Sequence, residues 1–241
     1  MAAPAYRLPV LDQDFLLSDA TRGLRFQLEY QKAEEYLRKW GVATTVVVFG
    51  SARIREGGPH GWYEEARKLG AIISERGGAK LNHIGPRQNV ICTGGGPGVM
   101  EAANRGASDV DAPSIGFNIT LPSEQEPNPY STPELTFRFH YFAMRKMHFA
   151  MRAAALVVFP GGFGTFDELF EILTLRQTSK MDDALPIVLF DKRYWQNVIN
   201  LKHMVDTGMI NSADLDLFSY ADSAEATWET LLARGLRIPG T

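Results

Sequence analysis

Ala155-Leu156-Val157-Val158-Phe159-Pro160-Gly161-Gly162-Phe163-Gly164-Thr165-Phe166-Asp167-Glu168 is an apolar run closed by a glycine-rich turn. The short β-branched and aromatic run reads as a strand buried on both faces, and the segment 166–177 beyond the glycines reads as a helix. The same sentence is written earlier in the chain. Thr44-Thr45-Val46-Val47-Val48-Phe49-Gly50 is a strand closed by glycine, followed by a helix over 64–75 with Ala66, Leu69, Ile72 and Ile73 as its core stripe. Strand 90–93 leads through Thr93-Gly94-Gly95-Gly96-Pro97-Gly98 into a helix over 99–107, and strand 114–119 follows. A proline-rich connection over 122–133 reads as a surface loop. A short strand at 137–139, a helix at 142–153, a strand at 186–190 and helices at 194–204 and 223–234 complete the pattern. Strand and helix alternating in this way predict an α/β fold: a Rossmann-like doubly wound parallel sheet flanked by helices, with right-handed crossovers. Residues 1–40 are expected to be a helical N-terminal extension, with Ser18 or Asp19 capping a helix towards Trp40 and Leu24, Leu28 and Leu37 along it. Residues 41–241 are expected to form a single domain of this kind.

The chain has 241 residues, 45% hydrophobic and 22% charged, an ordinary balance for a globular protein able to bury a full core. A formal net charge of -3 gives no general reason to expect nucleic acid or a membrane surface as a partner. The single cysteine, Cys92, excludes an internal disulfide and reads as a small core residue of its strand. It fits a reducing compartment. With no long apolar stretch at the N-terminus or elsewhere, the expected location is cytoplasmic.

In doubly wound sheets the ligand crevice lies beyond the carboxyl ends of the strands, which directs attention to the turns after Phe49, Thr93, Ile119 and Phe159. Glycines let main chain approach a ligand closely, and the free N–H groups of a helix start, with the helix dipole, attract anions. Gly94, Gly95 and Gly96 open one such turn. Gly161, Gly162, Gly164 and the Thr165 hydroxyl open another. The first is a poor dinucleotide fingerprint, because the third position of G-x-G-x-x-G falls on Val99, and no Gly-Lys-Ser/Thr follows as in a P-loop. A phosphate seated on the second turn places its sugar over the first helical turn, within reach of Glu168. Cleaving an N-glycosidic bond builds positive charge on the sugar, which a carboxylate stabilises while taking a proton from water. Thr165 could instead be a plain N-cap with Glu168 as its capping-box partner, a reading that need not exclude the first. Arg145 and Lys146 are candidates to assist the leaving base, or else a solvated basic face.

Gly94-Gly95-Gly96-Pro97-Gly98-Val99-Met100-Glu101 and Pro160-Gly161-Gly162-Phe163-Gly164-Thr165-Phe166-Asp167-Glu168 resemble the GGGxGxM and PGGxGTxxE segments of the LOG (Lonely Guy) family, cytokinin riboside 5′-monophosphate phosphoribohydrolases often mislabelled lysine decarboxylases. The likeness spans about residues 43–192, and the long N-terminal segment resembles the bacterial branch. It implies Arg145 and Glu168 as catalytic residues. It implies Ser51, Gly94, Gly95, Gly96, Glu124, Lys146, Gly161, Gly162, Gly164 and Thr165 as substrate-binding. It also implies a homodimer or larger homo-oligomer, with no cofactor. The expected activity is hydrolysis of AMP or an N6-modified AMP to free base and ribose 5-phosphate.

Three other readings compete. A pyridoxal-phosphate decarboxylase needs a lysine for the cofactor's aldehyde and a partner for its ring nitrogen, and the glycine turns need neither. A metal hydrolase is disfavoured because His60, His83, His140, His148 and His203 are scattered, and no metal is expected. A non-catalytic nucleotide carrier or sensor uses the same cradle and is set apart by Glu168. Met144, Met147, Phe149 and Met151 are divided between core and a subunit interface.

Overall fold

The computed structural model describes residues 3–80, 85–121, 126–181 and 185–239. In chain order the elements are α1 (Gln13–Leu16), α2 (Arg22–Lys39), β1 (Thr45–Phe49), α3 (Trp62–Arg76), β2 (Val90–Thr93), α4 (Val99–Asp109), β3 (Ser114–Ile119), β4 (Thr136–Phe139), α5 (Phe142–Arg152), β5 (Ala153–Val158), α6 (Phe163–Gln177), β6 (Ile187–Phe190), α7 (Lys192–Val198), α8 (Leu201–Asp206), β7 (Ser219–Ala221) and α9 (Ala224–Ala233). The strands form one seven-stranded sheet in the order β4-β3-β2-β1-β5-β6-β7, with every neighbour parallel.

From β1 the chain builds outward through β2 and β3 to β4, then returns to the far side of β1 as β5. The order therefore reverses between β1 and β5, and the crevice beyond their carboxyl ends is where a doubly wound sheet takes its ligand. All five positions of β1 are buried because helices cover both faces. On one face α3, α4 and α9 pack through Leu69, Ile73, Val99, Ala103 and Leu231; on the other α2, α5, α6 and α7 pack through Leu37, Phe149, Leu169 and Trp195. Each fully buried aliphatic or aromatic side chain of this kind contributes about 2 kcal/mol.

Some boundaries differ from those expected. Helix α2 begins at Arg22, after a tight turn over Asp19–Thr21, and neither Ser18 nor Asp19 caps it. Thr21, at its N-cap, turns its hydroxyl back onto the carbonyls of Phe15, Leu16 and Ser18 instead. Leu24 and Leu28 are exposed, because the inward face of α2 runs through Arg25, Phe26, Glu29, Tyr30, Ala33 and Leu37. The helix expected over 194–204 is two helices, broken where Ile199 is extended and the Asn200 side chain accepts from His203 N at 3.0 Å to start α8. Strand β7 has three residues and no alternation long enough to read from sequence. Of the divided apolar set, Phe149 is core, Met144 packs against the core, and Met151 is exposed.

Candidate active site

Helix α6 starts a full turn earlier than expected. Gly162 is its N-cap, and the first intrahelical bond runs from Phe166 N to Gly162 O at 3.0 Å. Phe163, Gly164 and Thr165 thus supply the amides that a helix start leaves without intrahelical acceptors. Thr165 lies inside the first turn, not at the N-cap, so the capping-box alternative for Thr165 and Glu168 does not hold. A Cβ on Gly161 would collide with the Thr165 side chain. That glycine lets Thr165 tuck beneath the turn.

Gly162, Phe163, Gly164 and Thr165 line a cavity of about 560 Å³ together with Phe49, Gly50, Ser51, Met100, Arg145 and Glu168. The cavity opens at the β1/β5 reversal. Ser51 ties its walls together: its N–H donates to Pro160 O at 3.0 Å, its carbonyl accepts from Val99 N at 3.2 Å, and its Oγ accepts from Arg53 N at 3.0 Å. The hydroxyl proton remains available to a ligand.

Arg145 reaches the cavity from α5. Its Nε donates to Phe117 O at 2.7 Å, its guanidinium lies 5.2 Å from the Phe149 ring centre, and Nη1 is 3.6 Å from Glu168 Oε1. Burial holds the guanidinium below its ordinary pKa, and Glu168 opposes that shift. Glu168 is 8% exposed. Burial pushes its carboxyl up to about 7, against the pull of Arg145 and Lys146.

The two glycine turns play different parts. Gly161 underlies Thr165, while Gly162 and Gly164 face the cavity. Gly94, Gly95 and Gly96 are buried and do not line it. Their main chain is engaged by the protein: Gly95 N donates to Thr93 Oγ1 at 2.9 Å, and Asn128 donates to Gly95 O at 2.8 Å and to Gly96 O at 3.1 Å. A Cβ on Gly94 would meet the Arg145 guanidinium and the Met100 sulfur, so Gly94 is what allows Arg145 to pass. Lys146 does not line the cavity; it holds Asp167, which does, at 2.8 Å and Glu171 at 3.0 Å. Glu124 lies outside the described residues. Sequence reasoning missed Met100, Phe142 and Phe163 as lining residues. Phe163 is 96% exposed and occupies the variable position of the second glycine turn. Phe142 is one turn before Arg145 and is 51% exposed.

The family profile described as "Possible lysine decarboxylase" matches residues 100–231. The chain belongs to that family, the LOG family. The LOG relative "Probable cytokinin riboside 5′-monophosphate phosphoribohydrolase LOG4" of Oryza sativa subsp. japonica is 26% identical over 187 residues, covering 76% of this chain and 74% of the relative. A "Pyrimidine/purine nucleotide 5′-monophosphate nucleosidase" of Escherichia coli (strain K12) is 34% identical over 122 residues, covering 45% of this chain and 25% of that protein. The LOG chain thus spans about a quarter of the length of the curated nucleosidase. Among solved structures, the molybdenum cofactor binding protein of Rippkaea orientalis superposes with a TM-score of 0.51 at 20% identity, over 79% of this chain and 96% of that one, a likeness of fold. The decarboxylase label does not fit this LOG cavity. Among the described residues lining it there is no lysine, and the nearby Lys146 amine is held by two carboxylates.

Proposed function

We propose that this LOG-family chain hydrolyses the N-glycosidic bond of a nucleoside 5′-monophosphate, AMP or an N6-modified AMP, to free base and ribose 5-phosphate. One observation carries the reading: Glu168 and Arg145 stand side by side, 3.6 Å apart, in the wall of a cavity that the N-terminus of α6 also lines. The phosphate docks on the amides of residues 163–165 and the Thr165 hydroxyl, where the helix dipole favours an anion. The ribose then lies over the first turn of α6, beside Glu168.

As the C1′–N bond breaks, its electron pair leaves with the base and positive charge grows on C1′ and the ring oxygen. The Glu168 carboxylate stabilises that charge and accepts a proton from the water whose oxygen bonds to C1′. Arg145, the cation nearest Glu168 within the cavity, polarises the departing base, which gains a proton; the net change is addition of one water. The extension over 1–40 and the catalytic domain over 41–241 belong to this reading, as do a homo-oligomeric state and a cytoplasmic setting. The test is chromatography of the protein incubated with a panel of nucleoside monophosphates. Release of base and ribose 5-phosphate supports the reading. Tight binding with every nucleotide left intact reduces the site to a carrier.

A further inference from the structure

Helix α2 lies outside the residues that match the family profile, yet it holds α5 along its whole length. At the start of α5 the Glu29 carboxylate accepts from His140 N at 2.8 Å and from Tyr141 N at 3.3 Å, 111 and 112 residues away in sequence. Tyr141 is the N-cap of α5 and has no side-chain cap of its own. Arg25 Nε donates to its hydroxyl at 3.0 Å, and the Phe26 ring meets its ring edge-on at 4.3 Å between centres. In the middle, Tyr30 stacks on the buried His148 at 5.5 Å. At the far end Glu34 takes both Arg152 guanidinium nitrogens, and Arg38 sits 3.2 Å from the same carboxylate.

The residue after the gripped Tyr141 is Phe142, which lines the cavity, and one turn on Arg145 N donates to Tyr141 O at 3.2 Å. A carboxylate on the amides ahead of a helix also complements the dipole of that helix. Any slide of α5 along its axis carries the Arg145 guanidinium past Glu168, which is fixed on a different helix. We infer that Glu29 is a positioning residue of the active site: through His140 and Tyr141 it sets where α5 begins, and so where Arg145 stands. The inference rests on the proposed hydrolase reading for its kinetic consequence and on geometry alone for its structural one. The phosphate cradle is on α6 and does not depend on Glu29.

The experiment compares Glu29→Ala, Glu29→Gln and the exposed-surface control Glu35→Ala in the full chain. Misplacing a reacting group by about an ångström costs up to about 100-fold. Glu29→Ala is therefore expected to lower kcat by about 10-fold or more while KM for the nucleotide moves less than about 3-fold. Glu29→Gln, keeping one acceptor oxygen, recovers part of the loss, and Glu35→Ala changes nothing. In parallel, amide hydrogen exchange at residues 140–145 should speed up in Glu29→Ala while the start of α6 keeps its protection. Wild-type kcat in folded Glu29→Ala, or unchanged exchange at 140–145, overturns the inference. If the wild-type chain cleaves no nucleotide, faster exchange still supports the positioning role, and the failure belongs to the hydrolase reading alone. Should Glu29→Ala not fold, Glu29→Gln and Arg25→Lys are read by the same two measurements.

Discussion

Arg145 Nη1 stands 3.6 Å from Glu168 Oε1, close enough for strong attraction and too far for a hydrogen bond. Both side chains are largely buried in the cavity wall, and the Arg145 fork is anchored elsewhere, on Phe117 O. Burial therefore outweighs the neighbouring cation, and the Glu168 carboxyl is pushed up to about 7. The pair is a proton-exchanging carboxylate beside a fixed cation, an arrangement suited to managing charge on a sugar and its leaving group.

Glu168→Gln should keep nucleotide binding, measured calorimetrically, and lose turnover by about 100-fold or more, as removal of a general base does. Turnover equal to wild type would reassign Glu168 to structure.

The active form of Glu168 in the proposed chemistry is the carboxylate. kcat/KM should therefore rise with pH through about 7, the value of the ligand-free protein, and the inflection should vanish in Glu168→Gln. In kcat it should lie higher, because a bound phosphate adds like charge. A profile flat from pH 5 to 9 would remove the general-base role.

Stability carries the same signature with the opposite sign. The folded carboxyl titrates at about 7 against an ordinary 4.5, so the protonated form is favoured by folding. The associated stability is fully present below about pH 4.5, is lost as pH rises to about 7, and is constant beyond. At about 1.4 kcal/mol per pH unit over about 2.5 units the loss amounts to at most about 3.5 kcal/mol. Comparing urea midpoints at pH 5 and pH 8 for wild type and Glu168→Gln isolates this contribution, which the variant should lack.

Gly94→Ala should displace Arg145 and cost about 1–3 kcal/mol of stability through overpacking, with turnover lost. In an Arg145→Ala background the guanidinium is gone and much of that cost should disappear. Additive costs in the double mutant would mean that Gly94 serves another neighbour.

Adenosine should be a far poorer substrate than AMP, and Thr165→Ala should raise KM for AMP while leaving adenosine unaffected. Comparable rates for the two substrates would empty the α6 cradle of its role.

The sheet was legible because its strands are buried on both faces and written as unbroken apolar runs, so β1, β2, β5 and β6 could be placed from composition alone. Glu168 was reached from the glycine turn ahead of its helix, Arg145 from the basic pair on the helix before β5, and Ser51 from the family resemblance alone. Other features depend on partners distant in sequence. Nothing local distinguishes Lys146, which turns towards Asp167 and Glu171, from its neighbour Arg145, which turns inward. Leu24 and Leu28 match helical spacing as well as the true inward stripe does, and the ion pair of Glu34 with Arg152 decides the face. The buried setting of Gly94–Gly96 follows from Asn128, which arrives from beyond the next strand.

Ser51 bonds through one peptide group to the loop after β5 and through the next to the first turn of α4. Two walls of the cleft are thereby riveted at a single point and cannot part without breaking main-chain bonds.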